Sequence, residues 1–352
     1  MSKWTSLFAQ QSVFTVAAPA LAVLLSIATG ALLFTGFGIP AEEGLYYFLI
    51  DPVRDFYGIS ELLLKISPIV ICALGLLFCY KAGVWSIGAE GQYLAGCMAA
   101  GWCALTFGEG AGVAALPLVI VTGMVGGLVW AGIAAWLRVQ FGANEILTTI
   151  MLNYIAVNLL MYLVNGPLKD PNGFSFPESA IFADATMLPL LSESFRLNVS
   201  VFFPLLILLG SLWILSQSRF GYELTVVGDA AKAARNAGIS NRRYIAAVLL
   251  ISGACAGLAG ASEVAGPVGQ LIPQLSVGYG YTAIICVYLG RLHPVGVLLA
   301  SILMGLTYVG AESVQLQFEI PNSIAAAFQG MILFYLLAAD RVLARLTRRG
   351  AL

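Results

Sequence analysis

Charge and histidine are what this 352-residue chain has least of: 17 Lys and Arg, 18 Asp and Glu and one His, so that only 10% of it is charged, against about 25% in a soluble domain. An ordinary water-soluble enzyme is excluded. The single His293 has no histidine partner for a metal site. None of the five lysines follows a glycine, so the GxxxxGKS/T phosphate loop is missing and any ATP must be handled by another chain. HExxH and GxSxG are missing too, which removes the zinc-peptidase and nucleophile-elbow readings. A net charge of -1 lacks the basic surplus that a phosphate backbone demands, so no nucleic-acid partner is expected. The six cysteines (Cys72, Cys79, Cys97, Cys103, Cys255, Cys286) form no CxxC and fall in apolar runs, where they read as small core side chains. No catalytic residue, metal site or cofactor of its own is therefore expected in this chain.

What is abundant is hydrophobic sequence: 60% of residues, with a mean hydropathy of +0.91. A membrane span needs about 20 mainly apolar residues. The chain offers ten candidates, at 13–37, 62–80, 90–107, 112–137, 145–164, 199–217, 244–266, 277–290, 293–312 and 322–340. The first is longer than the roughly 7–15 apolar residues of a secretory signal and is expected to remain as a helix. The fold class is thus all-α and polytopic, a single transmembrane domain over 1–352 with 13–340 in the membrane. With the N-terminus inside, 13 of the 17 basic residues collect on one side: Lys3, Lys81, Arg138, Arg219, Lys232, Arg235, Arg242, Arg243, Arg291, Arg341, Arg345, Arg348 and Arg349. Acids such as Glu42, Glu43, Asp51, Asp55, Asp170, Glu178, Asp184 and Glu193 fall opposite. The positive-inside rule places both termini in the cytoplasm.

Two connections are long. Residues 165–198 carry Pro167, Pro171, Asn172, Gly173 and Pro177, a turn-rich extracytoplasmic loop. Residues 218–243 mix charge with small residues and alanine, which favours a helix at the cytoplasmic surface. Gly123 with Gly127, and Gly253 with Gly257 and then Gly260, stand at spacings that let helices approach closely. The Ser-Ile-Gly-Ala-Glu-Gly run from Ser86 and the Ser-Val-Gly-Tyr-Gly-Tyr run from Ser276 each precede a short, Gly-interrupted span. Spans two to five and seven to ten are then expected to form two four-helix halves of opposite orientation, the inverted-repeat layout with broken helices.

Among ionisable residues near the spans, Glu90 and Glu145 sit at helix starts, where the helix dipole favours an acid. Glu263 lies nearer the outer end of the seventh span, and no acid is placed convincingly at the midplane, which speaks against ion coupling. In the fifth span Glu145, Thr149 and Asn153 follow at four-residue steps and share a face. Such a stripe either lines a path for an uncharged polar solute or holds helices together. Glu90, Glu145, Thr149 and Asn153 are the candidate pathway residues.

The runs YKAGVWSIGAEGQYLAG (Tyr80 to Gly96), ANEILTTIMLNYIA (Ala143 to Ala156), GDAAKAARNAGIS (Gly228 to Ser240) and YLGRLHPVGVLLAS (Tyr288 to Ser301) together resemble the permease subunits of bacterial ABC importers. Within these they are most similar to the branched-chain amino acid, ribose and nucleoside permease superfamily, and closest to permeases that work with basic-membrane-protein-type lipoproteins. The resemblance spans about 60–340. It implies two permeases per transporter, the second usually non-identical, two ATPase subunits that bind ATP and Mg, an extracytoplasmic substrate-binding lipoprotein, and a place in the bacterial cytoplasmic (inner) membrane. It also implies a nucleoside as solute, with a simple, ribose-like sugar as the alternative and an ion-coupled secondary transporter as the competing class. The stretch Lys232-Ala233-Ala234-Arg235-Asn236-Ala237-Gly238 resembles the EAAxxxG coupling motif, with lysine in place of glutamate. The resemblance therefore implies that Lys232, Ala233, Ala234, Arg235 and Gly238 dock the ATPase.

Overall fold

The computed structural model describes residues 2–108, 110, 112–173, 176–191, 195–321 and 323–350, with side-chain surroundings given between 19 and 339. Glu193 lies outside the described residues, as do the side chains of Lys3, Arg341, Arg345, Arg348 and Arg349. In order, the helices are α1 (Ser2–Gly36), α2 (Ala41–Leu45), α3 (Asp51–Arg54), α4 (Phe56–Lys81), α5 (Ala89–Phe107), α6 (Ala115–Phe141) and α7 (Glu145–Asn165). They continue as α8 (Phe202–Gln217), α9 (Arg219–Asp229), α10 (Ala231–Asn236), α11 (Asn241–Glu263), α12 (Tyr279–Leu289), α13 (Pro294–Phe318) and α14 (Ile324–Gly350). No β-strand is present among the described residues beyond an isolated bridge between Leu190 and Asn198.

Seven described helices are long and apolar enough to cross a membrane: Pro19–Gly36, Phe56–Lys81, Gly112–Phe141, Glu145–Asn165, Val199–Gln217, Asn241–Val268 and Pro294–Phe318. Ile324–Ala339 adds a shorter apolar one. The protein is therefore an all-α, multi-pass membrane protein. The difference from ten lies in the short spans. The segment expected at 277–290 is the 11-residue α12, about 16 Å of helix, half the roughly 30 Å hydrocarbon core. The segment expected at 90–107 is α5, 19 residues long and buried through most of its length, so its glycines and polar residues meet protein rather than lipid.

The chain divides into two compact units. One comprises residues 1–62 and 302–352. In it α1 packs along α14, and Phe328 stacks on Phe48 at 4.2 Å with Phe34 edge-on to Phe48 at 6.1 Å. Gln329 Nε2 donates to Thr307 Oγ1 at 3.0 Å, satisfying two polar groups that would be costly unpaired in an apolar core.

The other unit, residues 63–301, is organised on α5, α6 and α11 packed against one another. The glycines explain how. A Cβ on Gly96 would lie 2.5 Å from Gly257 Cα, and one on Gly127 would lie 2.3 Å from the Gly253 carbonyl oxygen. Backbones thus touch where a side chain would wedge them apart, the close approach that small-residue spacings allow. The 165–198 loop lies across the α11–α12 connection: Ser179 N donates to Leu271 O at 3.0 Å, Phe182 N to Gly269 O at 2.9 Å and Leu188 N to Ala265 O at 2.7 Å. Those bonds satisfy a backbone stretch that helix no longer serves.

Candidate functional site

The site grows from two interruptions in the helical chain. α4 stops because Gly83, at φ +71°, turns the backbone left-handed, with Val84 N reaching back to Cys79 O at 2.9 Å in a Schellman closure. Residues 84–88 then run without helix to the start of α5. The second interruption, residues 269–278, follows the π-helical turn Val264–Val268 that ends α11 and leads into α12. The two helix starts meet. A Cβ on Gly280 would lie 2.2 Å from Glu90 N, so the first turns of α5 and α12 are in backbone contact.

Two helix N-termini face to face bring two partial positive charges together, each about +0.5 e. The Glu90 side chain, wholly buried, answers both. Its Oε2 accepts from Gly280 N at 2.8 Å, and its Oε1 accepts from Gly278 N at 3.0 Å and Ser276 Oγ at 3.2 Å. An acid at the start of one helix thereby caps the start of another.

α7 closes the first interruption. Asn153 Oδ1 accepts from Gly91 N at 2.9 Å, and its Nδ2 donates to Ile87 O at 2.8 Å and to Tyr281 Oη at 3.2 Å. Thr149 Oγ1 accepts from Ile87 N at 3.2 Å and donates to Glu145 O at 2.6 Å. Both residues are buried. Asn153 lies eight residues into the 21-residue α7, about 12 Å along a helix of about 31 Å, so the junction meets this apolar helix about a third of the way along it. Glu145 is one turn from Thr149 and pairs instead with Arg138, Nε to Oε2 at 3.2 Å. Of the four pathway candidates, Glu90, Thr149 and Asn153 meet at the junction, and Glu145 stands apart at the end of α7.

Sequence reasoning missed the other half of this arrangement. Ser276, Gly278, Gly280 and Tyr281 were visible only as parts of a repeat signal. The clue is that α12 is too short to span, which puts its first residues at a helix end rather than in mid-helix.

The basic segment forms a second feature. α9 inserts Leu224 beside Phe78, Cys79, Ala82, Val84, Val248 and Leu249, and a Cβ on Gly228 would fall 2.0 Å from the Lys81 carbonyl oxygen. α9 is thus seated on the end of α4. Beyond it α10 stands out from the body: Lys232, Ala233, Arg235 and Gly238 are exposed and only Ala234 is buried. Gly238, at φ +80°, ends α10, with Ile239 N bonding to Ala234 O at 3.0 Å in another Schellman closure. A cleft of about 420 Å³ beside it is lined by Arg219, Phe220, Glu223, Arg243 and Tyr244 among others. There Arg219 Nε meets Glu223 at 3.0 Å, the Tyr244 hydroxyl donates to Glu223, and Phe220 stacks on Tyr244 at 5.2 Å. The Tyr244 hydroxyl, followed by Arg219, holds the Glu223 carboxyl below its ordinary range.

A family model for the permease component of branched-chain amino acid transport systems matches residues 58–337. The chain belongs to this permease family. It is 34% identical to a glucose ABC transporter permease of Haloferax volcanii over 332 residues, 92% of this chain and 87% of that one. It is 30% identical to a guanosine ABC transporter permease of Bacillus subtilis over 339 residues, 95% of this chain and 97% of the other. A nucleoside ABC transporter permease of Lactococcus lactis is 27% identical over 91% of this chain and 90% of its own. No solved structure matches. The permease is a transport subunit and not an enzyme, and ATP hydrolysis belongs to a separate subunit.

Proposed function

We propose that this permease carries a neutral, hydroxyl-rich solute of nucleoside type from an extracytoplasmic binding protein into the cytoplasm. In this reading it acts with a second, non-identical permease and two ATPase subunits that bind ATP and Mg. The observation that carries the reading is the nearly end-to-end match to the guanosine permease, joined to a junction where the acid Glu90 is already satisfied by backbone donors. A group committed in that way is poorly placed to take up and release a coupling proton. The basic end, with Lys81, Arg138, Lys232 and Arg235, is the cytoplasmic one by the positive-inside rule, and α10 with Gly238 docks the ATPase. Glu90, Thr149 and Asn153 hold the junction of the broken helices at the solute path, and Glu145 braces α7 against Arg138. A sugar is the second reading, favoured by the 34% identity to the glucose permease. Uptake of labelled guanosine and labelled glucose in cells with and without the gene separates them. Guanosine uptake that needs the gene and resists excess glucose supports the first, and the reverse pattern supports the second.

A further inference from the structure

Eight of the eleven residues of α12 are buried. The three that are not, Tyr281, Ile284 and Tyr288, stand at i, i+3 and i+7 and so share one face. Tyr281 is 42% exposed and sits at the junction level, where its hydroxyl meets Asn153. Tyr288 lies two turns further, about 10 Å along the helix. There Trp85, 54% exposed, stacks on it at 5.8 Å, and Tyr80 closes the cluster at 5.4 Å from Tyr288. Tyr80 is fixed by its own hydroxyl, which donates to Ser86 O at 2.8 Å.

The large exposed side chains of α6 are Leu118, Val121, Val125, Leu128, Val129, Ile133, Trp136 and Phe141, and α7 exposes Tyr154 and Tyr162; what sets the α12 face apart is its place beside the helix break. The α12 face carries two tyrosine hydroxyls and borders the non-helical backbone of 84–88, which meets Asn153 about 12 Å along α7. Irregular backbone at membrane depth persists only where protein buries it or where it lines a water-filled cavity. Here protein satisfies much of the backbone, with Ile87 held by Thr149 and Asn153 and Ser86 O by Tyr80, while the rings of Tyr281 and Trp85 stay exposed beside it and Tyr288 is half-buried.

From this we infer that Tyr281, Tyr288 and Trp85 are the selectivity wall of the solute path, a set of aromatic faces that favours planar heteroaromatic solutes over puckered, base-free sugars. The inference rests on the nucleoside reading above and names the residues that would enforce it. Base-to-aromatic stacking tolerates any base because every base has a flat π face. Rings two turns apart hand a solute on without holding it, and purines, with the larger face, pass best.

The test uses the complete transporter with its receptor, reconstituted in liposomes, and labelled guanosine, cytidine and glucose. Trp85→Leu and Tyr288→Leu lie away from the Asn153 bonds and leave the junction intact. Each is expected to lower guanosine uptake by about five- to tenfold, the low end of what one lost stacking face does, and to narrow the guanosine-to-cytidine ratio. Tyr288→Phe keeps both, because the face and not the hydroxyl acts. Receptor docking stays as in the parent. Leu variants that carry guanosine at the parental rate and ratio overturn the wall while leaving the nucleoside reading in place. A parental complex that imports glucose and ignores guanosine overturns the nucleoside reading, and the wall with it.

Discussion

The face-to-face helix starts give a prediction whose size is set by the geometry. Replacing Glu90 with alanine removes the acceptor for Gly278 N, Gly280 N and Ser276 Oγ at a site with no solvent exposure. The serine hydroxyl can turn to another acceptor, but the two backbone N–H groups cannot. A buried donor left unsatisfied costs about 1–3 kcal/mol, so the pair sets an expected loss of roughly 2–6 kcal/mol. Glu90→Gln keeps the shape and one acceptor oxygen but turns an NH2 toward one donor, so it should lose about half as much.

At about 2.1 cal/mol/K per residue, a chain of this length has an unfolding entropy near 0.74 kcal/mol/K, so Glu90→Ala should melt roughly 3–8 °C lower. The cysteines supply the probe. Cys72, Cys79, Cys97, Cys103 and Cys286 are buried, and a thiol-reactive fluorophore reports them as the detergent-solubilised protein unfolds. The expected order of melting temperature is parent, Glu90→Gln, Glu90→Ala. A Glu90→Ala protein that melts within about 1 °C of the parent, or a Gln variant less stable than the Ala variant, refutes the capping role.

Three further outcomes follow from the basic end. Gly228→Val places a branched side chain where even a Cβ would be 2.0 Å from the Lys81 carbonyl oxygen, so α9 should lift from α4, seen as faster hydrogen exchange over 219–229 with the exchange of α6 unchanged. Gly238→Trp meets open space at Cβ and strains only the positive φ, at about 1 kcal/mol; the protein should insert and melt close to the parent yet lose ATP-driven uptake, and unimpaired uptake would exclude docking there. The depressed Glu223 carboxyl contributes fully above its unfolded value and loses that contribution as pH falls through the lower folded value. Exchange protection of α9 should therefore persist at neutral pH and fall in acid below the ordinary carboxylate range, and Glu223→Gln should flatten that dependence.

Hydrophobic length makes most of the fold readable in the sequence. Long apolar runs such as those beginning near Val13, Leu62 and Gly112 become helices because nothing else satisfies a backbone in lipid. The spacing of Gly123, Gly127, Gly253 and Gly257 announced close packing, and α6 and α11 do touch there. Glu90 was readable as a helix-start acid, yet its partner was not. It caps α12 across 190 residues of sequence, and no local pattern records which distant helix start will arrive opposite. Asn153 was ambiguous for a related reason. A polar side chain on a buried stripe serves a solute or a backbone, and only the position of Ile87 and Gly91 shows that its amide is occupied by the α5 break. The eighth span was readable as short and Gly-interrupted, yet it was counted as a crossing because Gly278 and Gly290 bound an apolar stretch whose composition matches a span and whose 11 residues do not.

The placement of α9 bears on how the proposed docking helix would act on the path. A surface loop free of the body would absorb a push from a partner by bending. Here α10 follows directly on α9, whose Gly228 abuts the Lys81 carbonyl and whose Leu224 lies in the cluster with Val84. From Val84 four residues lead to Gly88, where α5 begins against α12. Displacement of α10 therefore bears on the end of α4 and the first interruption before it can dissipate elsewhere. The junction has the complementary property. It is held by a few directed bonds to Glu90, Thr149 and Asn153 rather than by an unbroken helical ladder, so fewer bonds have to be remade there than in a helix interior, each at about 1–3 kcal/mol while it is unmade. A stiff seat at one end and an exchangeable contact at the other is the pairing that switching between two openings requires. That is why a disturbance at Gly228 and one at Glu90 should both impair uptake, the first by uncoupling it from ATP hydrolysis and the second by destabilising the junction itself.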